Sequence, residues 1–306
     1  MLAPIVLFVY NREDHVKRTL LSLSRNAAAK ESALFIFSDG NKTKNDEQSV
    51  NRVRELISLQ EWKSAFKEVN IILSDRNKGL ATSIISGVDK IIHEYGRVIV
   101  IEDDCISRGD FLDYMNVCLD FYKNNEKIWS IGGYSANLAF PSGYSHDVYL
   151  MGRTCSYAWG TWVDRWDRVD WQVKDYDSFK YNLIKRRQFN KYGNDRARML
   201  DLQQLGKKNS WAIRFCYAMF KNGMYTVYPT VTRIKNIGYD EGTHVNIHKS
   251  CSKPFDVILS NEKMNTFIPE NVDLDKRIVK SFVRLFKRPW YKLLVSYIIN
   301  VIIGSK

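Results

Sequence analysis

Three consecutive carboxylates, Glu102, Asp103 and Asp104, directly follow the apolar run at residues 97–101. Adjacent carboxylates repel one another, which costs stability unless a cation is shared between them. In an extended backbone residues 102 and 104 point one way and 103 the other, so one face could hold a hard divalent ion through oxygen ligands. Such an ion can bridge a diphosphate and neutralise the charge that develops as it leaves. The alternative to a metal site is a purely structural acidic turn that caps a helix beginning near Phe111. Because the three carboxylates follow a predicted buried strand, we favour the interpretation as a metal site.

Two more polar loops follow apolar runs: Asn11-Arg12 after the first and Ser38-Asp39-Gly40 after the second. An arginine suits phosphate, and a buried aspartate suits a base N–H or a ribose hydroxyl. Each loop taken separately is more typical of a turn or a cap. Because ligands of open α/β sheets bind outside the carboxyl ends of the strands, the three loops together predict a nucleotide crevice.

The elements that must position these loops are four short apolar runs, each followed by a stretch with helical spacing of apolar residues. The predicted strands are 4–9, 33–37, 69–73 and 97–101. Gly96 is expected to end the third helix. Alternation of this kind predicts an α/β fold with a parallel, doubly wound sheet.

The second half of the chain is less regular. Residues 128–172 are rich in Trp, Tyr and Gly, which is typical of a core or a ligand cleft, and 236–244 form a polar loop. We divide the chain into a first half at 1–127, which carries the predicted nucleotide crevice, a second half of the same domain at 128–275, and a basic amphipathic tail at 276–306.

The net charge of +12, with a pI of about 9.3, at first indicates nucleic acid or an anionic membrane as a partner. Residues 180–221, however, carry 11 basic and two acidic residues, and 276–306 carry eight basic and none acidic. The first segment could attract a phosphorylated acceptor or simply be a solvated helical face. The tail combines cationic and apolar faces with interfacial aromatics, so we predict that it attaches to an anionic membrane surface. The alternative interpretation of the tail is a C-terminal helix that packs on the rest of the protein with its charges in water.

The five cysteines are widely spaced with no C-x-x-C, which argues against a disulfide framework and suits a reducing compartment. The apolar N-terminus lacks the basic region of a signal peptide, and no run is long enough to span a bilayer. The expected location is cytoplasmic, peripheral at the inner face of the cell membrane.

The ordered motifs PIVLFVYNREDHVKRTLLSL, IFSDG, RNKGLATSIISGV and RVIVIEDD resemble the GT-A glycosyltransferases. They are most similar to the animal N-acetylglucosaminyltransferase that initiates complex N-glycans and to its bacterial relatives. A weaker likeness continues through SYAWGTWVDRW, SWAIRF and YPTVTRIKNIG. The resemblance implies a Rossmann-like, mostly parallel sheet sandwiched by helices, with a smaller acceptor-side region. In that case 1–127 would be the nucleotide-sugar-binding half and 128–275 the acceptor-side half of the same catalytic domain. We add C-terminal amphipathic helices from the tail pattern.

The resemblance also implies roles for residues of this chain. Asp104 would bind Mn²⁺ or Mg²⁺, Asp103 would approach the ribose, and Glu102 the donor sugar. Asp39 would contact the uracil side, and Arg12 the nucleotide or its phosphates. The full set of implied donor-binding residues is Arg12, Asp39, Lys78, Glu102 and Asp103.

The family is inverting: a carboxylate base deprotonates an acceptor hydroxyl, which attacks the anomeric carbon as the nucleoside diphosphate departs. Where the animal enzyme has its catalytic aspartate after a tryptophan, this chain reads Trp211-Ala212-Ile213-Arg214. The candidate bases are therefore Asp164, Asp240 and Glu241. His244 is a candidate late metal ligand, although a lone histidine is more commonly structural.

The sequence thus predicts a metal-dependent glycosyltransferase that moves a sugar from a nucleotide-sugar, expected to be a UDP-sugar, to a saccharide or lipid-linked saccharide in bacterial surface polysaccharide synthesis. A sugar-phosphate nucleotidyltransferase is the alternative, disfavoured because the loop after the first strand, YNRED, is not glycine-rich. A basic nucleic-acid-binding protein is disfavoured because the first half is net acidic. We therefore expect no nucleic acid partner.

Overall fold

The computed structural model describes residues 1–238, 255–259, 267 and 269–303. Its main sheet is built from eight strands: β1 Ile5–Val9, β2 Ala33–Ser38, β3 Glu68–Leu73, β4 Arg97–Glu102, β6 Ile128–Gly132, β7 Val148–Met151, β8 Ala158–Trp162 and β9 Tyr225–Pro229. Two short strands, β5 Cys105–Ser107 and β10 Ile234–Asn236, form a separate antiparallel ribbon. The order in the main sheet is β3-β2-β1-β4-β8-β6-β9-β7.

The first four strands are parallel, as predicted, and each begins and ends within one residue of its predicted bounds. Alternate residues of β1 enter two different cores, Ile5 and Leu7 on one face and Val6 and Phe8 on the other. A strand with both faces covered must be apolar throughout, which explains the uninterrupted runs in the sequence. The α/β prediction is therefore confirmed.

Helices cover both faces of this sheet. They are α1 Glu13–Ser24, α2 Glu47–Ile57, α3 Gln60–Ala65, α4 Leu80–Tyr95, α5 Phe111–Phe121, α6 Val163–Trp166, α7 Tyr176–Lys180, α8 Leu183–Phe189, α9 Arg196–Gln204, α10 Trp211–Lys221, α11 Lys276–Leu285 and α12 Trp290–Tyr297. Short 3₁₀ turns lie at Ala27–Glu31, Lys44–Asp46 and Asn190–Tyr192, and a π-helical turn at Ile298–Ile303 follows α12. Gly96 ends α4 with a φ of +74°, a left-handed conformation that glycine adopts at little cost.

The second half of the chain extends the same sheet. Strand β8 pairs antiparallel with β4, and β6 pairs antiparallel with β8, so β6 again runs in the direction of β4. The tryptophans of this half are mainly core: Trp159 stacks on Trp211 at 4.9 Å between ring centroids, and both are buried. These aromatics fill the space between the sheet and α10.

The C-terminal helices pack on the body. Ile278 and Phe282 of α11 are buried, and Phe282 meets the ring of Tyr228 at the end of β9. Within the described residues, no helix combines the length and apolar character that crossing a membrane requires.

Candidate active site

The acidic triplet lies where β4 ends. Glu102 is the last residue of the strand, and the chain turns at Asp103 and Asp104 before β5 begins. The expectation that residues 103 and 104 face opposite ways is wrong, because this turn replaces extended backbone. One nitrogen of Arg12, Nη2, donates to both Asp103 Oδ1 and Asp104 Oδ2, the latter at 2.9 Å.

Arg12 reaches the acids because β1 and β4 are neighbours, with Phe8 opposite Glu102. Burial alone would lower the pKa of Arg12, but the carboxylates of Asp103 and Asp104 outweigh it, and the pKa is raised. The guanidinium therefore stays protonated. Arg12 is thus a cation that Asp103 and Asp104 share, and it offsets part of the repulsion between the adjacent carboxylates.

One arginine does not neutralise this site. Burial, followed by repulsion from Asp104 and Asp103, raises the pKa of Glu102 well above its ordinary value, against the opposing effect of Arg12. Burial likewise raises the pKa of Asp103 to about 6, with Arg12 opposing the rise and Asp104 adding to it. Burial is the largest cause of both shifts and repulsion between the carboxylates adds to it, so a further cation at the site would stabilise the ionised forms of Glu102 and Asp103.

The β5–β10 ribbon holds Asp104 in place. Asn236 Nδ2 donates to Asp104 Oδ1 at 3.0 Å, and the N–H of Ile237 donates to the Asp104 carbonyl at 2.8 Å. On the other side, Thr19 Oγ1 donates to the carbonyl of Asp103 at 2.8 Å. The turn is therefore fixed from both α1 and β10.

Gly238 passes directly over the Asp104 carboxylate. A Cβ at this position would fall inside van der Waals distance of that carboxylate and 3.2 Å from Arg12 Nη1. Only glycine leaves this space open. Sequence reasoning assigned no role to Asn236 or Gly238, although both lie in the YPTVTRIKNIG segment that carried the weaker likeness.

The candidate residues Asp240, Glu241 and His244 follow Gly238 closely in sequence and lie outside the described residues. Their roles as base and metal ligand stay predictions.

Asp39, at the end of β2, organises two loops at the same edge of the sheet. Its Oδ1 accepts from the N–H of Gly40 at 3.0 Å and of Lys78 at 2.9 Å, and its Oδ2 accepts from the N–H of Gly79 at 3.0 Å. The loops are close enough that a Cβ on Gly40 would lie 2.5 Å from the carbonyl carbon of Arg76. Lys78 contributes its backbone here, while its side chain is exposed.

Asp164 is not part of this edge. It is exposed on α6, where Arg165 Nη1 donates to both its carboxylate oxygens at 2.7 Å. Because β8 runs antiparallel to β4, with Trp162 opposite Arg97, Asp164 lies beyond the amino end of β4, the edge opposite Glu102. The structure therefore does not bring this candidate base to the acidic triplet.

The residues present fit a divalent ion whose shell the substrate completes. Among the described residues no group of three or more His, Cys, Asp or Glu could enclose a metal. Mg²⁺, however, is commonly bound through one or two carboxylates together with substrate phosphates. Asp104 offers such a carboxylate: its Oδ2 accepts one hydrogen bond, from Arg12, and keeps acceptor capacity, while its Oδ1 accepts from Asn236 and from the Cys105 thiol. The space that a side chain at 238 would fill lies against it.

Comparison with known proteins gives matches only among solved structures. No protein-family model and no curated protein sequence matches the chain. The mannosyltransferase PcManGT from Pyrobaculum calidifontis, in complex with GDP-Man and Mn²⁺, is similar over 53% of this chain and 44% of its own, at 9% identity and a TM-score of 0.37.

S. aureus TarS is similar over 76% of this chain and 37% of its own, at 12% identity and a TM-score of 0.43. Its fragment 1–349 is similar over 76% of this chain and 61% of its own, at 12% identity and a TM-score of 0.44. The chain therefore spans less than two thirds of the length of each structure that it matches here.

Proposed function

We propose that this chain is a metal-dependent, inverting glycosyltransferase that uses a nucleotide-sugar, preferentially a UDP-sugar. The observation that carries the proposal is the cluster of Arg12, Asp103 and Asp104 at the carboxyl ends of β1 and β4. It combines one phosphate-binding cation with an excess of carboxylate, at the edge where α/β sheets bind nucleotides. The order of the four glycosyltransferase-like motifs supports the same assignment.

In this proposal Asp104 holds Mn²⁺ or Mg²⁺, with the donor diphosphate completing the shell. The ion, when bound, neutralises charge on the departing nucleoside diphosphate. Arg12 orients the diphosphate, while Asp103 and Glu102 face the ribose and the donor sugar. The loops held by Asp39 form the base side of the crevice, and the exposed Lys78 side chain is proposed to contact the nucleotide there.

The acceptor is proposed to be a saccharide or lipid-linked saccharide of bacterial surface polysaccharide synthesis. Asp240 and Glu241 are the proposed bases, because they directly follow the segment that contacts Asp104. His244 remains a proposed metal ligand. The proposed location is the inner face of the cell membrane, supported by the basic tail, with no nucleic acid partner.

Calorimetric titration with UDP and GDP, each with Mn²⁺ or with EDTA, tests the donor site. We expect Mn²⁺-dependent binding by the wild-type protein and by Asp164→Asn, which changes an acid at the opposite edge. Asp104→Asn is expected to lose the Mn²⁺ dependence. Equal nucleotide binding with Mn²⁺ and EDTA, or unchanged Mn²⁺ dependence in Asp104→Asn, would contradict the metal assignment.

A further inference from the structure

Helix α12 and the turn after it turn Ser296 and Asn300 toward the protein and several large apolar side chains outward. Arg198 Nε donates to Ser296 Oγ at 2.9 Å, and Lys207 Nζ donates to Asn300 Oδ1 at 2.8 Å. Positions 296 and 300 therefore mark the side that meets α9 and the turn after it. Hydrogen bonds hold this side to the body, together with the buried Val301 in the turn after α12.

The opposite side of α12 and the turn after it is apolar, with side chains between 38% and 74% exposed: Trp290, Tyr291, Leu294, Val295, Ile298 and Ile299. A surface helix in water has the reverse arrangement, with its apolar stripe toward the core. The exposed side of α12 therefore carries an apolar stripe of the kind that a water-exposed helix turns toward the core.

Helix α8 adds to the same surface. Leu183 is 67% exposed and Ile184 72%, and Tyr181 just before them is exposed as well. The guanidinium of Arg186, also on α8, lies 4.5 Å from the ring centroid of Tyr297 on α12. The two elements are therefore neighbours.

We call the exposed apolar side chains of the 181–184 and 290–299 segments the apolar face. It holds nine of the 17 large apolar side chains that are exposed among the described residues. A concentration of this kind marks an interaction surface, because isolated exposed apolar residues are spread more evenly on a monomer. A groove of about 520 Å³ runs beside Ile184, between Arg187 and Lys191.

The exposed charges of α8, of α12 and of the residues that adjoin them are cationic, while the exposed Asp177 of α7 pairs with Lys180. Lys185, Arg187 and Lys191 are exposed around α8, and Lys287, Arg288 and Lys292 are exposed around α12.

The two acids of residues 180–221 do not offset these cations. Asp195 and Asp201 are buried and pair with Arg153 and Arg186. The partner of this face must therefore be apolar at its centre and anionic at its rim.

We propose that the apolar face is one membrane-docking surface for an anionic phospholipid bilayer, into which α8 and α12 both insert. Interfacial binding combines burial of an apolar helical face with attraction of basic residues to anionic headgroups. The inference assigns part of the 180–221 segment to the lipid surface, beside the tail. It does not depend on the chemistry proposed for the sheet edge.

Co-sedimentation of the full chain with phosphatidylcholine vesicles, with and without about 30% phosphatidylglycerol, tests this proposal. We expect binding only to the anionic vesicles, weakened by salt. The double variant Leu183→Ser/Ile184→Ser on α8, and likewise Trp290→Ser/Leu294→Ser on α12, should each lower the partition coefficient by about tenfold or more. Leu59→Ser/Val117→Ser, at exposed apolar positions elsewhere, should leave it unchanged.

Charge variants sharpen the test. Lys185→Gln/Arg187→Gln/Lys191→Gln should weaken binding to anionic vesicles, whereas Lys67→Gln/Lys90→Gln/Lys123→Gln, at exposed lysines elsewhere, should not. Full vesicle binding by the α8 variants with loss in the α12 variants would overturn the two-helix surface. Absence of wild-type binding, or a dimer in light scattering that the α8 and α12 variants dissociate, would overturn the bilayer as the partner.

Discussion

Arginines meet aspartates in two different ways in this molecule. Arg186 donates to the two oxygens of Asp201 at 2.8 and 2.7 Å, and Arg153 to those of Asp195 at 2.9 and 3.1 Å. Each of these arginines forms a bidentate ion pair with one aspartate, which we call a matched pair. Arg12, at the sheet edge, instead donates from a single nitrogen to two acids and lies beside a third.

The carboxyl pKa values of Asp195 and Asp103 are shifted in opposite directions. Burial tends to raise the pKa of Asp195, but Arg153 outweighs burial and the pKa is lowered. At Asp103, burial outweighs Arg12 and the pKa is raised to about 6. A matched pair stabilises its carboxylate within the fold, whereas the carboxylates of the unmatched cluster would be stabilised by a further cation. This difference separates the proposed active site from structural ion pairs of similar composition.

The largest effect is expected at the unmatched cluster. Asp104→Asn removes the carboxylate proposed to bind the metal, so turnover should fall by about a thousandfold, a loss of about 4 kcal/mol of transition-state stabilisation. The free energy of unfolding should be unchanged or higher, because one of three repelling charges is gone. Steady-state kinetics with Mn²⁺ and urea unfolding measure the two quantities. A large loss of stability would show that Asp104 is structural.

The opposite outcome is expected at a matched pair. Asp201→Asn leaves the buried Arg186 without its counter-charge, which should lower the free energy of unfolding by about 3 kcal/mol or more. Turnover per folded molecule should stay near wild type. Urea unfolding gives the first quantity, and kinetics on the folded fraction give the second. If Asp201→Asn lost turnover a thousandfold and kept its stability, Asp201 would behave as we expect of Asp104, and the contrast between a structural ion pair and the proposed site would be wrong.

A smaller effect is expected at Gly238. Gly238→Ala places a methyl group against the Asp104 carboxylate, so that the carboxylate or the backbone must move. We expect Mn²⁺-dependent nucleotide affinity to fall by about tenfold, or about 1.4 kcal/mol, in calorimetry. Gly109→Ala is the matched control, since a Cβ there meets nothing within 4 Å. Equal affinity in the two variants would mean that the space over Asp104 is not used.

The sheet edge was predictable because it depends on local patterns. Uninterrupted apolar runs fix the strands, and the polar residues that follow them must lie at the carboxyl edge. The convergence of Asp103 and Asp104 on one nitrogen depends on a turn that alternation along a strand does not foresee. Asn236, at the end of β10, donates to Asp104 although it lies more than 130 residues further along the chain, and sequence spacing gives no signal for that contact.

Helix α12 could be predicted only in part. Its apolar and basic composition indicates an interface, but which side faces the body depends on Arg198 and Lys207. Those partners lie in a different segment of the sequence.

The last prediction concerns pH and the matched pair at Asp195. Because the folded-state pKa of Asp195 is lowered, its ionised form stabilises the fold above its unfolded-state pKa of about 3.9, and this contribution is lost as the pH falls through the folded value. Asp195→Asn should therefore be less stable than wild type at neutral pH, and the gap in urea unfolding should narrow as the pH falls from about 5 toward 2. The narrowing has a physical cause: acid removes from wild type the same charge that the substitution removes. If the difference in the free energy of unfolding between the two proteins stayed constant over this range, Asp195 would act through packing and neutral hydrogen bonds. Its ion pair with Arg153 would then contribute nothing to the stability of the fold.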